Sequence, residues 1–136
     1  MNSKIKEFFD HYEEANAEFD VVKIASFYAD VFMFASPQGA QPVKKDDFVK
    51  ILPRRKEFFG SLGLVASKVE RVEASDLDPS YVLARVLWKI RITRSGKDPA
   101  ESENSSSYVL RGSGDSFRIV FQVDHQDLAE RIRALG

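Results

Sequence analysis

Apolar and polar residues alternate with a helical period in the first part of the chain. From Ser3 to Phe19 the apolar positions share one face, which predicts an amphipathic helix with the stripe Ile5, Phe8, Phe9, Tyr12, Ala15 and Phe19. Asp20 can cap a second, short helix that is predicted to run to Tyr28. A third helical pattern opens at Asp46, and Pro53 within it predicts a kink or a break.

The period changes to two in the second half of the chain, as expected for strands with one buried face. Strand patterns cover residues 31–35, 64–76, 81–93, 106–111 and 117–123. Ser36-Pro37-Gln38-Gly39 ends the first strand with turn residues, and Gly112-Ser113-Gly114-Asp115 is predicted to join the last two. The polar segment 95–104 is predicted to be a loop, and Asp124 is predicted to cap a final short helix.

Helices come first in this order, and an antiparallel meander closes it. That order predicts an α+β fold in which helices pack on one face of the sheet. Neither a repeat nor a linker interrupts the pattern, so a single domain spanning residues 1–136 is expected. The second face of the strand at 81–93 alternates apolar with basic side chains, which suits either solvent or self-association. The expected assembly is a homodimer through this open sheet face.

Composition narrows the chemistry that this domain can perform. The chain of 136 residues is 43% hydrophobic and 12% aromatic, and it has a net charge of −1, no cysteine and two histidines. Balanced charge argues against a nucleic-acid partner. The lack of thiols excludes disulfides, thiolate metal sites and a cysteine nucleophile, and two histidines disfavour a multi-histidine metal site. No metal and no cofactor are therefore expected.

Targeting segments are also missing from the sequence pattern. No apolar run approaches the ~20 residues that a membrane span requires. The N-terminal stretch has no apolar signal core. A cytoplasmic protein without a membrane partner is expected.

Three short motifs follow one another in the first half of the chain: Tyr12, then Phe27-Tyr28-Ala29-Asp30, then Phe34-Ala35-Ser36-Pro37-Gln38-Gly39. Together with the strand Phe117-Arg118-Ile119-Val120-Phe121 and the following His125, they resemble the nuclear transport factor 2-like superfamily. Ketosteroid isomerases, scytalone dehydratases and SnoaL-like polyketide cyclases belong to that superfamily. The resemblance covers nearly the whole chain in element order. It implies a cone-shaped, cystatin-like fold, in which a curved antiparallel sheet is wrapped by N-terminal helices around an apolar cavity.

The resemblance to ketosteroid isomerases extends to individual residues. Tyr12 matches their oxyanion-hole tyrosine, and Tyr28 matches a second tyrosine that supports it. Ser36 stands where those isomerases keep the general-base carboxylate, and a serine hydroxyl cannot abstract a carbon-bound proton unaided. Phe59 matches a third isomerase tyrosine but has no hydroxyl. Ser107 falls near the position of the protonated carboxyl that completes the isomerase oxyanion hole, and serine has no carboxyl group. Steroid isomerisation by that mechanism is therefore not expected.

Tyr12, His125 and Asp124 are the candidate catalytic residues. Tyr12 is either a core tyrosine with one hydrogen-bond partner or a donor that polarises a ligand carbonyl. Alternation with a period of two puts His125 on the face of Phe121, and Asp124 with Gln122 on the opposite face. A register shift of one residue exchanges these faces, so the group at the cavity is either His125 or Asp124.

Aromatic and polar side chains are predicted to line the cavity, although aromatic clusters also form ordinary cores. The predicted ligand-binding residues are Tyr28, Phe32, Phe34, Ser36, Phe58, Phe59, Trp88, Tyr108, Phe121 and Gln122. The predicted function is the binding of a small apolar or aromatic molecule. Two alternatives are a cofactor-free isomerase, cyclase or dehydratase that works by proton transfer, and a non-catalytic dimerisation domain.

Overall fold

Helices precede and follow a six-stranded sheet, and the computed structural model describes residues 3–113 and 116–135. The helices of this described part are α1 (Ser3–Glu18), α2 (Val21–Ser26), α3 (Lys45–Ser61) and α4 (Leu128–Ala134). Its strands are β1 (Tyr28–Ser36), β2 (Gly39–Lys44), β3 (Leu64–Asp76), β4 (Tyr81–Ile92), β5 (Ala100–Ser113) and β6 (Ser116–Asp124). The predicted α+β class is confirmed.

The first helix forms where the sequence pattern predicts it, whereas the second ends at Ser26 rather than at Tyr28. The buried residues of α1 follow helical spacing and are Ile5, Phe9, Tyr12 and Ala15. Asp20 caps α2, since its carboxylate accepts a hydrogen bond from the Lys23 N–H at 3.1 Å. The stripe on α1 packs against the sheet, and this contact places Tyr12 inside the fold.

The sheet is curved and unclosed, with the strand order β2-β1-β6-β5-β4-β3. Strands β3 to β6 form the predicted antiparallel meander. Strand β1 runs parallel to β6, so the sheet is mixed rather than antiparallel throughout. We define the inner face by the buried residues of β4, which alternate along the strand: Val82, Ala84, Val86, Trp88, Ile90 and Ile92. The outer face carries the side chains between them.

One extra residue in β6 decides which side chains of that strand point inward. Two successive residues of β5 pair with Ile119 and Phe121, so Val120 has no partner and forms a bulge. Ile119 is fully buried before the bulge. After it, the inner positions pass to Gln122 and Asp124, which lie opposite inward residues of β5. The simple alternation of β6 therefore stops at Val120.

Strand β2 is absent from the predicted pattern. It pairs antiparallel with β1 across a turn at Pro37 and Gln38. Its side chains are exposed apart from half-buried Val43, so backbone pairing rather than apolar alternation holds this edge strand. Strand β1 also begins earlier than predicted, because Tyr28 already pairs with Ile119 of β6.

Other predictions fail where tertiary packing outweighs local sequence. The predicted break at Pro53 is wrong, because α3 continues through it with buried Leu52 and half-buried Phe59 anchoring its two sides. The predicted loop 95–104 is wrong from Ala100 onward, where β5 begins. Asp127 caps α4 instead of Asp124, since it accepts from the Glu130 N–H at 3.1 Å.

The structure describes only part of one predicted segment, the turn before the last strand. The joining turn between the last two strands contains Gly114 and Asp115, and both lie outside the described residues.

Two apolar clusters fill the inner side of the sheet. The larger lies between α1, β1 and the inner face, and includes Phe9, Tyr12, Tyr28 and Trp88. The smaller, which we call the α4 cluster, lies farther along β4 and comprises Ile90, Ile92, Ile132, Phe59, Leu62, Leu64, Leu128 and Leu135. Helix α4 therefore covers the strand ends beyond Trp88.

Candidate functional site

A continuous chain of hydrogen bonds crosses the interior between α1 and β6. The Tyr12 and Tyr28 hydroxyls are 2.7 Å apart, and the Tyr28 hydroxyl donates to Gln122 Oε1 at 2.5 Å. Gln122 Nε2 donates to Asp124 Oδ1 at 3.0 Å, and Ser106 Oγ donates to the same oxygen at 2.8 Å. We call these five residues the tyrosine–aspartate network.

Proton direction in the network follows from these bonds. A hydroxyl has a single proton, and Tyr28 uses its proton in the hydrogen bond that it donates to Gln122. The Tyr12 hydroxyl therefore donates to Tyr28. Both bonds to Asp124 end on Oδ1, so Oδ2 accepts no hydrogen bond from the described part of the chain. The network thus has a vacant acceptor at its carboxylate end.

Each member reaches the interior for a local structural reason. Tyr12 belongs to the buried stripe of α1, and Tyr28 is the first residue of β1. Gln122 and Asp124 turn inward because of the bulge at Val120. Ser106 lies directly opposite Asp124 in the sheet, and Gln122 lies opposite another tyrosine, Tyr108. Cross-strand pairing therefore sets the geometry of the carboxylate end.

Aromatic rings surround the Tyr12 hydroxyl. The ring centroid of Tyr12 lies 6.0 Å from that of Trp88, 6.0 Å from Tyr108 and 6.1 Å from Tyr28. Tyr28 in turn packs on Phe32 at 4.4 Å. The polar network is therefore embedded in an apolar wall, where hydrogen bonds are less weakened by competing water.

Burial sets the protonation of the three inner tyrosines. Loss of hydration raises the pKa of Tyr12, although its hydrogen bond with Tyr28 acts in the opposite direction. Burial raises the pKa of Tyr28 and of Tyr108 well above the ordinary tyrosine value, and the neighbouring tyrosines reinforce this. These hydroxyls therefore stay protonated at neutral pH. They can donate hydrogen bonds but cannot serve as bases.

The C-terminal end of α3 places a cation beside this interior. The Arg55 guanidinium lies 5.8 Å from the Phe34 ring centroid and 5.3 Å from that of Phe59. Its charge lowers the pKa of Tyr12, although less than burial raises it. Arg55 makes no ion pair within the described residues.

Helix α4 is attached to the rest of the fold by polar side chains as well as by its cluster. Gln38 Nε2 donates to the Asp127 carboxylate, and an Arg94 guanidinium nitrogen donates to the Leu135 carbonyl. The Ser105 N–H donates to Gln126 Oε1 at 2.7 Å. These contacts hold α4 and the β1–β2 turn together at one end of the sheet.

The structure brings together six of the residues proposed from the sequence, and they are Tyr12, Tyr28, Trp88, Tyr108, Gln122 and Asp124. Phe32 packs directly beside them, and half-buried Phe34 lies under Arg55. Others lie elsewhere. His125 and Phe121 are on the outer face because the bulge at Val120 reverses the alternation of β6.

Three further candidates are also separated from the network. Ser36 is occupied by the hairpin turn, where its hydroxyl donates to Gln38 Oε1 at 2.9 Å and accepts from the Gln38 N–H at 3.2 Å. Phe58 is 45% exposed on α3. Phe59 belongs to the α4 cluster. Ser107, near the isomerase carboxyl position, instead bonds His125 Nε2 at 2.7 Å on the outer face.

Sequence reasoning missed Ser106 and the neighbouring inward residue Asn104. Both lie on the same face as Tyr108, two and four residues before it, opposite Val86 and Trp88 of β4. Extending the period of two backward from Tyr108 would have found them. The polar composition of 95–104 concealed this continuation.

Open surface clefts lie away from the network. One of about 680 Å³ runs along the N-terminal half of α1 and the start of β6, past Phe8, His11 and Phe117. A second of about 260 Å³ adjoins it through Lys4 and Phe117. No member of the network lines either cleft.

Two features are absent from the described residues. No group of three or more histidine, cysteine, aspartate or glutamate side chains is arranged to hold a metal ion. Among residues 3–113 and 116–135, no helix is both long and apolar enough to cross a membrane.

A family model matches most of the chain. The family described as NTF2-like protein (DUF6841) matches residues 3–127. No curated protein matches the chain in sequence.

Solved structures share the fold at low sequence identity. An NTF2-like protein with a cystatin-like fold from Novosphingobium aromaticivorans superposes with a TM-score of 0.73 at 13% identity, covering 98% of this chain and 86% of that one. ActVI-ORFA from Streptomyces coelicolor superposes with a TM-score of 0.73 at 14% identity, covering 93% of this chain and 97% of that one. A ketosteroid isomerase-like protein from Erwinia carotovora atroseptica superposes with a TM-score of 0.67 at 15% identity, covering 90% of this chain and 93% of that one. These likenesses establish a common fold.

Proposed function

The chain belongs to this NTF2-like family, and on that premise we propose that it binds a small apolar or aromatic molecule against the tyrosine–aspartate network. The observation that carries the proposal is the network itself. It is a row of buried and partly buried hydrogen-bonding groups that ends at a carboxylate, of which Oδ2 accepts no bond from the described residues. Fold alone does not assign this function, because NTF2-like domains serve several roles.

The chemistry of the site favours a ligand that is mostly apolar with one polar group. Trp88 and Tyr108 offer ring surfaces, which bury an aromatic body favourably. Asp124 Oδ2 can accept a hydrogen bond from the polar group. The few polar groups in an apolar wall are typical of small-molecule sites.

Access to the site requires a movement of the covering elements. Tyr12 is 6% exposed and Tyr28 is 1% exposed, so a ligand cannot reach their hydroxyls in this conformation. Helix α4 covers the strand ends beyond Trp88 with seven residues, of which Ile132 is buried. We propose that α4 moves away from the strand ends to admit the ligand. Short elements with few buried residues are the ones expected to open locally.

Calorimetric titration with 2-naphthol tests the binding proposal. We expect saturable binding to the wild-type protein and about tenfold weaker binding to Asp124→Asn, since the charged acceptor of a buried hydrogen bond is lost. His125→Ala is the matched control, because it changes the next residue on the outer face. Absence of binding up to the solubility limit of 2-naphthol would refute the proposal, as would equal affinities for the wild type and Asp124→Asn.

Proton transfer is a second candidate function, favoured by the vacant Asp124 oxygen beside protonated tyrosines. The Asp124 carboxylate would take a proton from the carbon next to a ketone carbonyl, leaving an enolate. With a β,γ-unsaturated ketone the enolate is conjugated, and returning the proton to its γ-carbon would shift the double bond and complete an isomerisation. No cofactor is needed for that sequence of steps.

Deuterium exchange measures the first step directly. With 2-tetralone in D₂O, we expect exchange of the protons next to the carbonyl above the buffer rate for the wild type and for His125→Ala. Asp124→Asn should exchange at the buffer rate. Equal exchange by Asp124→Asn and wild type would remove Asp124 from the chemistry and leave binding alone.

Self-association through the outer face is a third candidate. Half-buried Val109, Phe121 and Val123 form adjacent apolar positions there. We propose that a second copy of the chain covers this area in a homodimer. Sedimentation of wild type should then give a concentration-dependent dimer, and Phe121→Arg should remain monomeric. A monomeric wild type at all concentrations would refute the assembly.

A further inference from the structure

Asn104 holds a buried polar atom that the fold does not satisfy. The residue is 9% exposed, and its Oδ1 has no hydrogen-bond partner among the described residues. Buried acceptors in native proteins nearly always have a partner, and an orphaned group demands an explanation. A leucine of similar size would avoid the desolvation penalty entirely.

Asn104 faces the same interior as the tyrosine–aspartate network. It pairs directly with Trp88, so both side chains lie on the inner face. The next inward residue of β5 is Ser106, which donates to Asp124 Oδ1. The orphaned oxygen therefore continues a row of polar groups along the inner side of β5. Of these groups, Asn104 Oδ1 and Asp124 Oδ2 remain unpaired with described residues.

We propose that Asn104 is a specificity residue whose Oδ1 accepts a hydrogen bond from a donor group of the bound molecule. The inference rests on the proposed binding function and restricts its ligand class. The preferred ligand has an apolar or aromatic body with two donor groups, because a hydroxyl has a single proton and Asp124 Oδ2 and Asn104 Oδ1 each need a donor of their own. Selection arises because a ligand without a donor leaves Asn104 Oδ1 buried and unpaired.

A matched pair of probes separates donor recognition from burial of the rings. 2,7-Naphthalenediol and 7-fluoro-2-naphthol have nearly the same shape and share the hydroxyl that can serve Asp124, but only the first has a second hydroxyl to donate. We expect the wild-type protein to bind 2,7-naphthalenediol about tenfold more tightly, as one net hydrogen bond allows. In Asn104→Leu the ratio of the two affinities should fall towards one, because 7-fluoro-2-naphthol no longer leaves an orphaned oxygen.

Two controls keep the test interpretable. Glu103→Leu introduces the same side chain one residue earlier on the exposed outer face, and it should keep the wild-type ratio. Unliganded Asn104→Leu should melt at or above the wild-type temperature, because the orphaned polar group is gone. A changed ratio in a stable variant therefore reports recognition rather than damage to the fold.

The outcomes distinguish the two proposals. If both probes bind the wild type equally, or if Asn104→Leu keeps the tenfold preference, binding stands and the role of Asn104 is refuted. A preference for 7-fluoro-2-naphthol would indicate that the amide presents its N–H₂ group, which also overturns the proposal. If neither probe binds the wild type, the binding function itself fails.

Discussion

Two neighbouring hydrogen bonds between β5 and β6, each made by a serine of β5, show how the two faces of the sheet differ. Ser106 donates to Asp124 Oδ1 at 2.8 Å on the inner face, and Ser107 bonds His125 Nε2 at 2.7 Å on the outer face. The distances are almost equal and the residues are consecutive. The inner pair is partly buried and continues into Gln122 and the tyrosines, whereas the outer pair is exposed and stands alone.

This difference indicates that burial within a network, rather than bond length, sets how much a hydrogen bond contributes to the stability of the fold. Water replaces an exposed bond at little cost, but a buried partner left alone keeps its full desolvation penalty. The bulge at Val120 decides which of the two acid–base residues receives the buried position. Four measurements can break or sharpen this contrast.

Removing the middle of the network should have the largest effect. Tyr28→Phe keeps the ring but leaves the Tyr12 hydroxyl and Gln122 Oε1 without their buried partner. We expect the free energy of unfolding to fall by about 3 kcal/mol, since each orphaned group costs about 1–3 kcal/mol. Urea unfolding provides the value. Tyr81→Phe, which lies outside the network, should change it by less than about 0.5 kcal/mol.

The two serines allow the most direct comparison of the faces. Ser106→Ala should lower the free energy of unfolding by about 1.5 kcal/mol, because it removes a bond to a partly buried carboxylate. Ser107→Ala removes an exposed bond and should cost less than about 0.5 kcal/mol. Equal losses in urea unfolding would show that the faces do not differ in the way proposed.

Alkaline pH should weaken the inner face selectively. The folded state raises the pKa of Tyr12, Tyr28 and Tyr108, mainly by burial, so it resists their deprotonation. Their contribution to stability is complete below pH 10, where the unfolded tyrosines keep their protons. It declines as pH rises above 10, because the unfolded chain then releases protons that the folded chain retains.

Tyr108→Phe isolates one of these contributions. The loss of unfolding free energy between pH 10 and pH 11 should be about 1 kcal/mol smaller in Tyr108→Phe than in the wild type. Urea unfolding at both pH values gives the two losses. Identical losses would mean that Tyr108 does not resist deprotonation in the folded state.

The smallest effect is expected for the exposed histidine. His125→Ala should change the free energy of unfolding by less than about 0.5 kcal/mol at pH 7, since its bond to Ser107 faces solvent. A loss above 1.5 kcal/mol in dilute protein would contradict the contrast between the faces. A loss that appears only at high protein concentration would instead indicate an interface on the outer face.

Much of the fold can be predicted from periodicity alone. The stripe of α1 locates Tyr12, and the alternation of 81–93 gives the inner face of β4. The bulge at Val120 cannot be found this way, because one inserted residue leaves no trace in composition. Strand β2 is equally hidden, since pairing of its backbone needs no apolar side chains.

The candidate site was only partly predictable for the same reason. Tyr12 and Tyr28 carry recognisable motifs, but the choice between His125 and Asp124 depends on the bulge. Ser106 and Asn104 lie in a serine-rich run with the composition of a loop. That run becomes a buried strand only because it pairs with β4. The pairing begins where Ala100 lies opposite Ile92.

The parallel pairing of β1 with β6 has a consequence for synthesis on the ribosome. The β1–β2 hairpin joins the rest of the sheet only through β6, the last strand to be made. The nascent chain must therefore keep its first hairpin unattached while the following strands emerge. Non-local pairing of this kind delays folding and leaves apolar surface exposed. Completion of the sheet, and with it the meeting of Tyr28 and Gln122, therefore waits until β6 has been made.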